Sequence, residues 1–267
     1  MSYGKSINQM SKELEKTIKE LKKNNMALER DVEEKSKINE MRKQFISDVS
    51  HELKTPIALI QGYAEGLVEN IVQDEESKQF YASVILDETN KMDKLVKQLL
   101  ELSRLEYGNR EFNKQNFKIS ELIKEIVRNS KVKLDEKNIK VELDLDEELE
   151  VYADNFYINQ VITNYFTNAI KYSREIDGKK IIKITANKVN DKAHITVFNT
   201  GDKMPEEIAR RIWNRFYKTD ESRNREAGGT GIGLALVKAI MTNMNNKFGM
   251  ENKNDGVEFY FELDLAI

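Results

Sequence analysis

The chain contains no cysteine, which excludes disulfide staples and thiolate metal sites and fits a reducing compartment. Histidine is nearly as scarce, since His51 and His194 are too few for a histidine-rich metal site. No run of about 18 apolar residues is present, and Met1 to Met10 lacks the apolar centre of a signal peptide, so a soluble segment is expected. An excess of one charge sign is missing too. Although 33% of the residues are charged, the net charge is only −3, so neither the basic stripe that nucleic acid requires nor an acidic tail is indicated. No internal repeat is visible, and the only biased stretch is the Lys/Glu-rich beginning.

What is present suffices for a packed core: 267 residues, 39% of them hydrophobic, leave room for two domains or one domain plus an extension. Ile7, Leu14, Leu21 and Leu28 recur at seven-residue spacing, with Met10 and Ile18 in supporting positions, which reads as a coiled-coil seam. The alternative is a single long amphipathic helix with an irregular seam. Between Leu28 and Ile38 the pattern loses its phase, passing Val32 and the polar Lys35 before resuming at Ile38, Met41 and Phe45. Such a break lets one helix hold two packings.

The next stretch concentrates the chemistry. Ile46, Val49, Leu53, Ile57 and Ile60 form a helical stripe expected to pack inward, and His51 lies about 200° around the helix from Val49 and Leu53, facing solvent. Glu52 is placed to accept from one ring nitrogen, which leaves the other lone pair free to attack. Thr55, one turn on, shares the face of His51 and is suited to hold a water, while Pro56 removes a helical donor and bends the helix just past the site. Taken alone, an exposed histidine on a charged helix needs no function.

This helix is expected to run to about Glu69, with a turn over Asn70 to Ser77. A second helix carries Phe80, Val84, Ile85, Met92, Leu95, Val96, Leu99, Leu100 and Leu102 on an apolar face and stops near Tyr107-Gly108. Two such helices bury little apolar surface alone, so two hairpins pairing as a four-helix bundle, a homodimer, are expected. After a polar linker at 109–116, Ser120 is read as the cap of a helix with Leu122, Ile123, Ile126 and Val127. Strand patterns at 140–145, 181–186, 193–198 and 256–265, with helices at 154–172 and 234–244, indicate an α+β sandwich.

Asp154 caps the helix that holds Asn164 and Asn168, four apart and therefore on one face. Two asparagines aligned on an apolar helix serve either buried hydrogen bonding or coordination of Mg²⁺ and phosphate, with Lys171 neutralising charge.

His51-Glu52-Leu53-Lys54-Thr55-Pro56 strongly resembles the H-box of two-component sensor histidine kinases, and four further boxes follow in that family's order. The helix with Asn164, Asn168, Lys171 and Tyr172 looks like the N-box, and Val197 to Pro205, with Asn199 and Gly201, is similar to the first glycine box beside adenine. Ile212 to Lys218 resembles the phenylalanine box, whose aromatics anchor the ATP lid. Gly229-Thr230-Gly231-Ile232-Gly233-Leu234 resembles the second glycine box, where backbone N–H groups approach phosphates at a helix N-terminus. The resemblance spans Met41 to Ile267, with the first helix similar to a signalling helix, and His194, outside every box, reads as a solvated side chain. Two positions depart from the family, which usually has aspartate where Asn199 stands and glycine where Lys203 stands.

The resemblance implies an α+β chain: a coiled-coil signalling helix at 1–40, a dimerisation and phosphotransfer hairpin at 41–108, the linker 109–116, and at 117–267 an α/β-sandwich ATP-binding domain of the histidine kinase/Hsp90-like ATPase type. It implies His51 as phosphoryl acceptor, Glu52 as general base or ring orienter, and Thr55 in dephosphorylation of a partner regulator. ATP and Mg²⁺ are the implied cofactors, with Asn168 as metal ligand and Asn164, Lys171, Tyr172, Asn199, Gly201, Lys218, Gly229, Thr230, Gly231, Gly233 and Leu234 around the nucleotide. The implied partners are a second copy and a response-regulator receiver domain, and the implied location is the cytoplasmic part of a membrane sensor. The alternative is a dimeric signalling scaffold whose nucleotide site has degenerated at Asn199 and Lys203.

Overall fold

The computed structural model describes residues 2–107, 111–218 and 230–266, and along the first helix only the side chains from residue 14 on, without those at 15, 27, 31, 34, 37, 41 and 42. The side chain at 107 is also outside the described set, as are the side chains of Ile7, Met10 and Met41 in the helical patterns, Gly108 at the expected stop, and Gly229. The chain divides into two units, 1–62 and 63–267.

The described residues of the first unit are all helical, because α1 runs Ser2–Val68 with Pro56 inside it. Its expected seam is open in the single chain, with Leu14 63%, Leu21 59% and Leu28 59% exposed. The inward stripe is a partial correction. Ile46 is 64% and Ile57 48% exposed, and Val49, Leu53 and Ile60 are half-buried, since one helix supplies too little surface to cover them. Among the described residues no helix is long and apolar enough to cross a membrane.

The second unit begins with the end of α1, where Asn70 at φ 52 reverses the chain and the Ile71 N–H closes the helix on the Gly66 carbonyl at 3.0 Å. Asp74 then accepts from the Ser77 N–H at 2.8 Å, capping α2 (Glu75–Tyr107), and that bond holds its carboxyl below the ordinary value of 3.8. The apolar face expected on α2 splits in two. Leu95, Leu102 and Leu105 are no more than 3% exposed, whereas Phe80, Val96 and Leu100 remain 42–57% exposed.

The remaining elements are β1 (Gln115–Lys118), α3 (Ile119–Asn129), α4 (Lys131–Glu136), β2 (Lys140–Leu145), β3 (Glu150–Ala153), α5 (Asn155–Tyr172), β4 (Ile181–Val189), β5 (Lys192–Thr200), α6 (Glu206–Arg211), α7 (Gly233–Asn243), β6 (Phe248–Lys253) and β7 (Gly256–Asp264). Five strands form one sheet in the order β2-β4-β5-β7-β6, with β2 parallel to β4 and the other pairs antiparallel. A second, two-stranded sheet pairs β1 with β3.

Alternation decides which face is buried: Ile182, Ile184 and Ala186 on β4, Ala193, Ile195 and Val197 on β5, and Val257, Phe259, Phe261 and Leu263 on β7 point to one side. The helices supply Ile119 and Ile123 from α3, Ile158, Ile162 and Phe166 from α5, and Val237 and Ile240 from α7 to the same core. This is the expected two-layer α/β sandwich. Three details differ from the sequence reading. Lys118 occupies the N-cap of α3 and Ser120 sits fully buried inside its first turn, so Ser120 does not cap. The expected linker yields Gln115 and Asn116 to β1. His194 is half-buried on β5, stacked on Tyr260 with centroids 5.5 Å apart and 3.9 Å from Glu262, rather than freely solvated.

Candidate functional site

The histidine group lies in the first unit. On α1, His51 and Thr55 are exposed and Glu52 is half-buried, so the imidazole ring and the hydroxyl one turn away both reach solvent. One turn earlier, Gln44 Nε2 donates to Asp48 Oδ1 at 2.7 Å, and Ser50 Oγ donates to the Ile46 carbonyl at 2.8 Å. The Ser50 hydroxyl is thus turned back on its own helix.

The other expected residues lie in the second unit, and α5 is their common support. Asp154 caps α5 as expected, with Oδ1 accepting from the Phe156 and Tyr157 N–H groups at 3.1 and 3.4 Å, while Oδ2 receives the Asn113 N–H at 2.9 Å. Ile158, Val161, Ile162 and Tyr165 fix the inner face of α5 in the core, which leaves Asn164 and Asn168 half-buried at its margin. Asn164 Nδ2 donates to the Gln160 carbonyl at 2.8 Å, so its oxygen is directed elsewhere. That oxygen meets the start of α7. A Cβ built on Gly233 would stand 2.5 Å from Asn164 Oδ1, so only glycine allows the two elements to approach this closely.

The Asn168 side chain makes no hydrogen bond among the described residues, and its amide oxygen remains available as a hard ligand. Lys171 holds its Nζ 4.9 Å from the Tyr172 ring, and Tyr172 is 43% exposed. The first glycine segment follows β5. Asn199 is 5% exposed and donates through Nδ2 to the Thr200 carbonyl at 3.1 Å, leaving Oδ1 as its free acceptor. Thr200 ties this strand end to the end of α5, since its hydroxyl donates to the Arg174 carbonyl at 2.7 Å and its carbonyl accepts the Arg174 N–H at 2.9 Å. The Gly201 N–H donates to the Asp255 carbonyl at 3.0 Å, and Arg174 pairs with Asp202. Lys203 is exposed and absent from the residues with positive φ, so a side chain at this position strains nothing.

The aromatic segment and the second glycine segment meet directly. The Phe216 N–H donates to the Gly231 carbonyl at 2.9 Å, with φ of 58 at Phe216 and 68 at Gly231. A Cβ on Gly231 would lie 2.8 Å from both the Cα and the carbonyl carbon of Phe216. Trp213 anchors the aromatic segment edge-on against Phe248 at 4.9 Å, Lys218 is half-buried, and Leu234 is half-buried in the first turn of α7. The start of α7 therefore brings backbone N–H groups beside Gly231 and Gly233, whose missing side chains admit Phe216 and Asn164, with Asn168 one turn further along α5. Such a donor set fits a triphosphate with a hard divalent cation.

Three side-chain pairings were not expected from the sequence. Thr230 Oγ1 donates to Gln98 Oε1 on α2 at 2.9 Å, Arg215 pairs with Glu106, and Tyr157 donates to Glu101 Oε1 at 2.5 Å. The only sequence signal for them is the spacing of Gln98 and Glu106 with the leucines at 102 and 105.

Comparison with known proteins gives a matching pattern. The His Kinase A (phospho-acceptor) domain matches residues 41–108, and the histidine kinase-, DNA gyrase B- and HSP90-like ATPase matches residues 153–267. The sensor histidine kinase WalK of Bacillus subtilis (strain 168) is 32% identical over 212 residues, which is 79% of this chain and 34% of that protein. Among solved structures, the catalytic domain of the histidine kinase ThkA is 32% identical with a TM-score of 0.51, covering 57% of this chain and 96% of that one. The histidine kinase ThkA in complex with the response regulator protein TrrA is 28% identical with a TM-score of 0.65, covering 84% of this chain and 61% of that one. The chain spans 34% and 58% of the length of two curated relatives it matches.

Proposed function

The chain belongs to the two-component sensor histidine kinases, and from that premise we propose that it transfers the γ-phosphoryl group of ATP to His51 and then to an aspartate of a response-regulator receiver domain. The observation that carries the reading is the contact of Asn164 Oδ1 with the place a Cβ would take on Gly233, which joins the asparagine helix to the glycine loop.

In the first step the lone pair of one His51 ring nitrogen forms a bond to the γ-phosphorus as the bond to the β–γ bridging oxygen breaks, and ADP leaves with that electron pair. Glu52 orients the ring through the other nitrogen and takes its proton as positive charge builds, a role worth about 10²–10⁴-fold in rate. The N–H groups at the start of α7 hold phosphate oxygens, and Lys171 neutralises charge near them. Mg²⁺, bound through the Asn168 amide oxygen, would supply further charge neutralisation. Asn199 Oδ1 accepts from the adenine amino group. Transfer of this kind depends on positioning, which the rigid union of α5 and α7 provides.

The open stripes on α1 and α2 are covered by a second copy in a homodimeric four-helix bundle. The chain is read as the cytoplasmic core of a membrane-anchored sensor. Incubation with Mg²⁺ and γ-labelled ATP tests the whole reading: label enters the chain and moves to an added receiver domain, while α-labelled ATP leaves none. A chain that binds ATP yet takes up no label in either condition overturns it.

A further inference from the structure

Helix α2 presents Leu95, Gln98, Leu102, Leu105 and Glu106 at helical spacing, hence on one face. The three leucines are at most 3% exposed where α2 packs on α7. The two polar residues on that face reach a single patch. Gln98 Oε1 accepts the Thr230 hydroxyl at 2.9 Å, and the Glu106 carboxylate takes two bonds from the Arg215 guanidinium, one of them from Nε at 3.0 Å. Thr230 and Arg215 are neighbours in space, because the adjoining Phe216 N–H and Gly231 carbonyl are bonded at 2.9 Å. Asn243, at the other end of α7, donates to the Leu105 carbonyl at 3.1 Å and completes the seat of α2.

The Thr230 hydroxyl is committed in both of its capacities. Its proton goes to Gln98, and its oxygen accepts the Ile232 N–H at 3.4 Å. With α2 seated, the glycine loop has therefore turned a hydroxyl and one backbone amide away from the place where an anion would sit. We propose that α2 and the nucleotide compete for the Thr230 hydroxyl, so that seating α2 on α7 lowers affinity for the triphosphate. Linkage makes the effect reciprocal: bound nucleotide weakens the seat of α2 by the same factor. One neutral hydrogen bond exchanged in this way corresponds to roughly a 3- to 10-fold change in affinity. The inference rests on reading this loop as the phosphate site, and it adds that helix α2 sets the loop's affinity.

The test is calorimetric titration of the full chain with a non-hydrolysable ATP analogue and Mg²⁺. Gln98→Ala keeps a strong helix former and removes the acceptor, and it binds about 3- to 10-fold more tightly than the parent. Thr230→Val binds more weakly, and adding Gln98→Ala to it brings no gain, because the contested hydroxyl is gone. Glu106→Gln loosens α2 without touching Thr230 and shifts affinity in the same direction as Gln98→Ala. If Gln98→Ala and Glu106→Gln bind no more tightly than the parent while Thr230→Val still weakens binding, the competition is overturned and the phosphate site stands. If Thr230→Val binds as the parent does, the hydroxyl is not contested and the competition alone is overturned; if the parent binds no analogue, the phosphate-site reading fails and the competition fails with it.

Discussion

Replacing Gly231 with alanine separates two costs that the structure assigns to different atoms. Backbone strain comes first: an L residue in the left-handed region costs roughly 1–2 kcal/mol. Gly178 measures that cost alone, because its φ is 73 and nothing lies within 4 Å of an added Cβ. At Gly231 the φ is 68, and the new Cβ would in addition stand 2.8 Å from two backbone atoms of Phe216. Backbone cannot swing aside as a side-chain tip does, so the collision adds about 1–3 kcal/mol, as overpacking does in a core. Relief requires Phe216 and Gly231 to move apart, and that breaks the 2.9 Å bond between them and reshapes the entry to α7. Gly178→Ala should therefore lower the melting temperature by about 2–4 °C per kcal/mol and leave ATP affinity unchanged. Gly231→Ala should lose at least about tenfold in ATP affinity, the equivalent of roughly 1.4 kcal/mol. Thermal melting and titration with a fluorescent ATP analogue measure both. Parent-like binding by Gly231→Ala, or equal loss of binding in both variants, would refute the reasoning.

Thr55→Ala should keep autophosphorylation and slow dephosphorylation of the phosphorylated regulator, because in the proposed role the hydroxyl orients water and takes no part in attack on ATP; equal decay rates of regulator phosphate would remove that role. Asn199→Asp should not improve ATP binding and should cost about 1–3 kcal/mol of stability, since a buried carboxylate oxygen would face the Thr200 carbonyl that now accepts from Nδ2. ATP and GTP titrations check this, and an improvement by orders of magnitude would show that the neutral amide is not the favoured partner. Asp74→Ala should destabilise α2 at neutral pH. The Asp74 carboxyl is held below its ordinary value of 3.8, so its contribution is present above that pH and disappears as pH falls through the folded value. Melting curves at neutral and strongly acidic pH should show the variant and parent diverging in the first and converging in the second.

The sequence displayed most of the large elements because their apolar periods are long. The alternation of β4, β5 and β7 and the run of α5 and α7 follow from residues that meet one core. The short strands carried no such signal. Gln115–Lys118 is four residues with little alternation, and it becomes a strand through pairing with Glu150–Ala153, a contact that no local window contains. Likewise the apolar residues of α2 read as one face, because nothing local tells Leu102, covered within the unit, from Leu100, left 56% exposed. At the candidate site, the type and order of residues were legible while their bonds were not. Asn164 and Asn168 were placed on a common face, yet one turns its nitrogen to Gln160 and its oxygen to Gly233, a division set by the tertiary approach of α7. Ser120 misled for a simpler reason: the helix starts one residue ahead of it, and a cap is defined by that boundary.

The identity of the phosphoryl acceptor decides the proposed kinase activity most directly. Parent and His51→Gln should be incubated with Mg²⁺ and γ-labelled ATP, with binding of an ATP analogue measured on both in parallel. The two should bind the analogue alike, since His51 lies in the first unit and the proposed nucleotide residues in the second, and only the parent should take up label, recovered on a peptide containing His51. Label on His51→Gln equal to that on the parent would contradict the account.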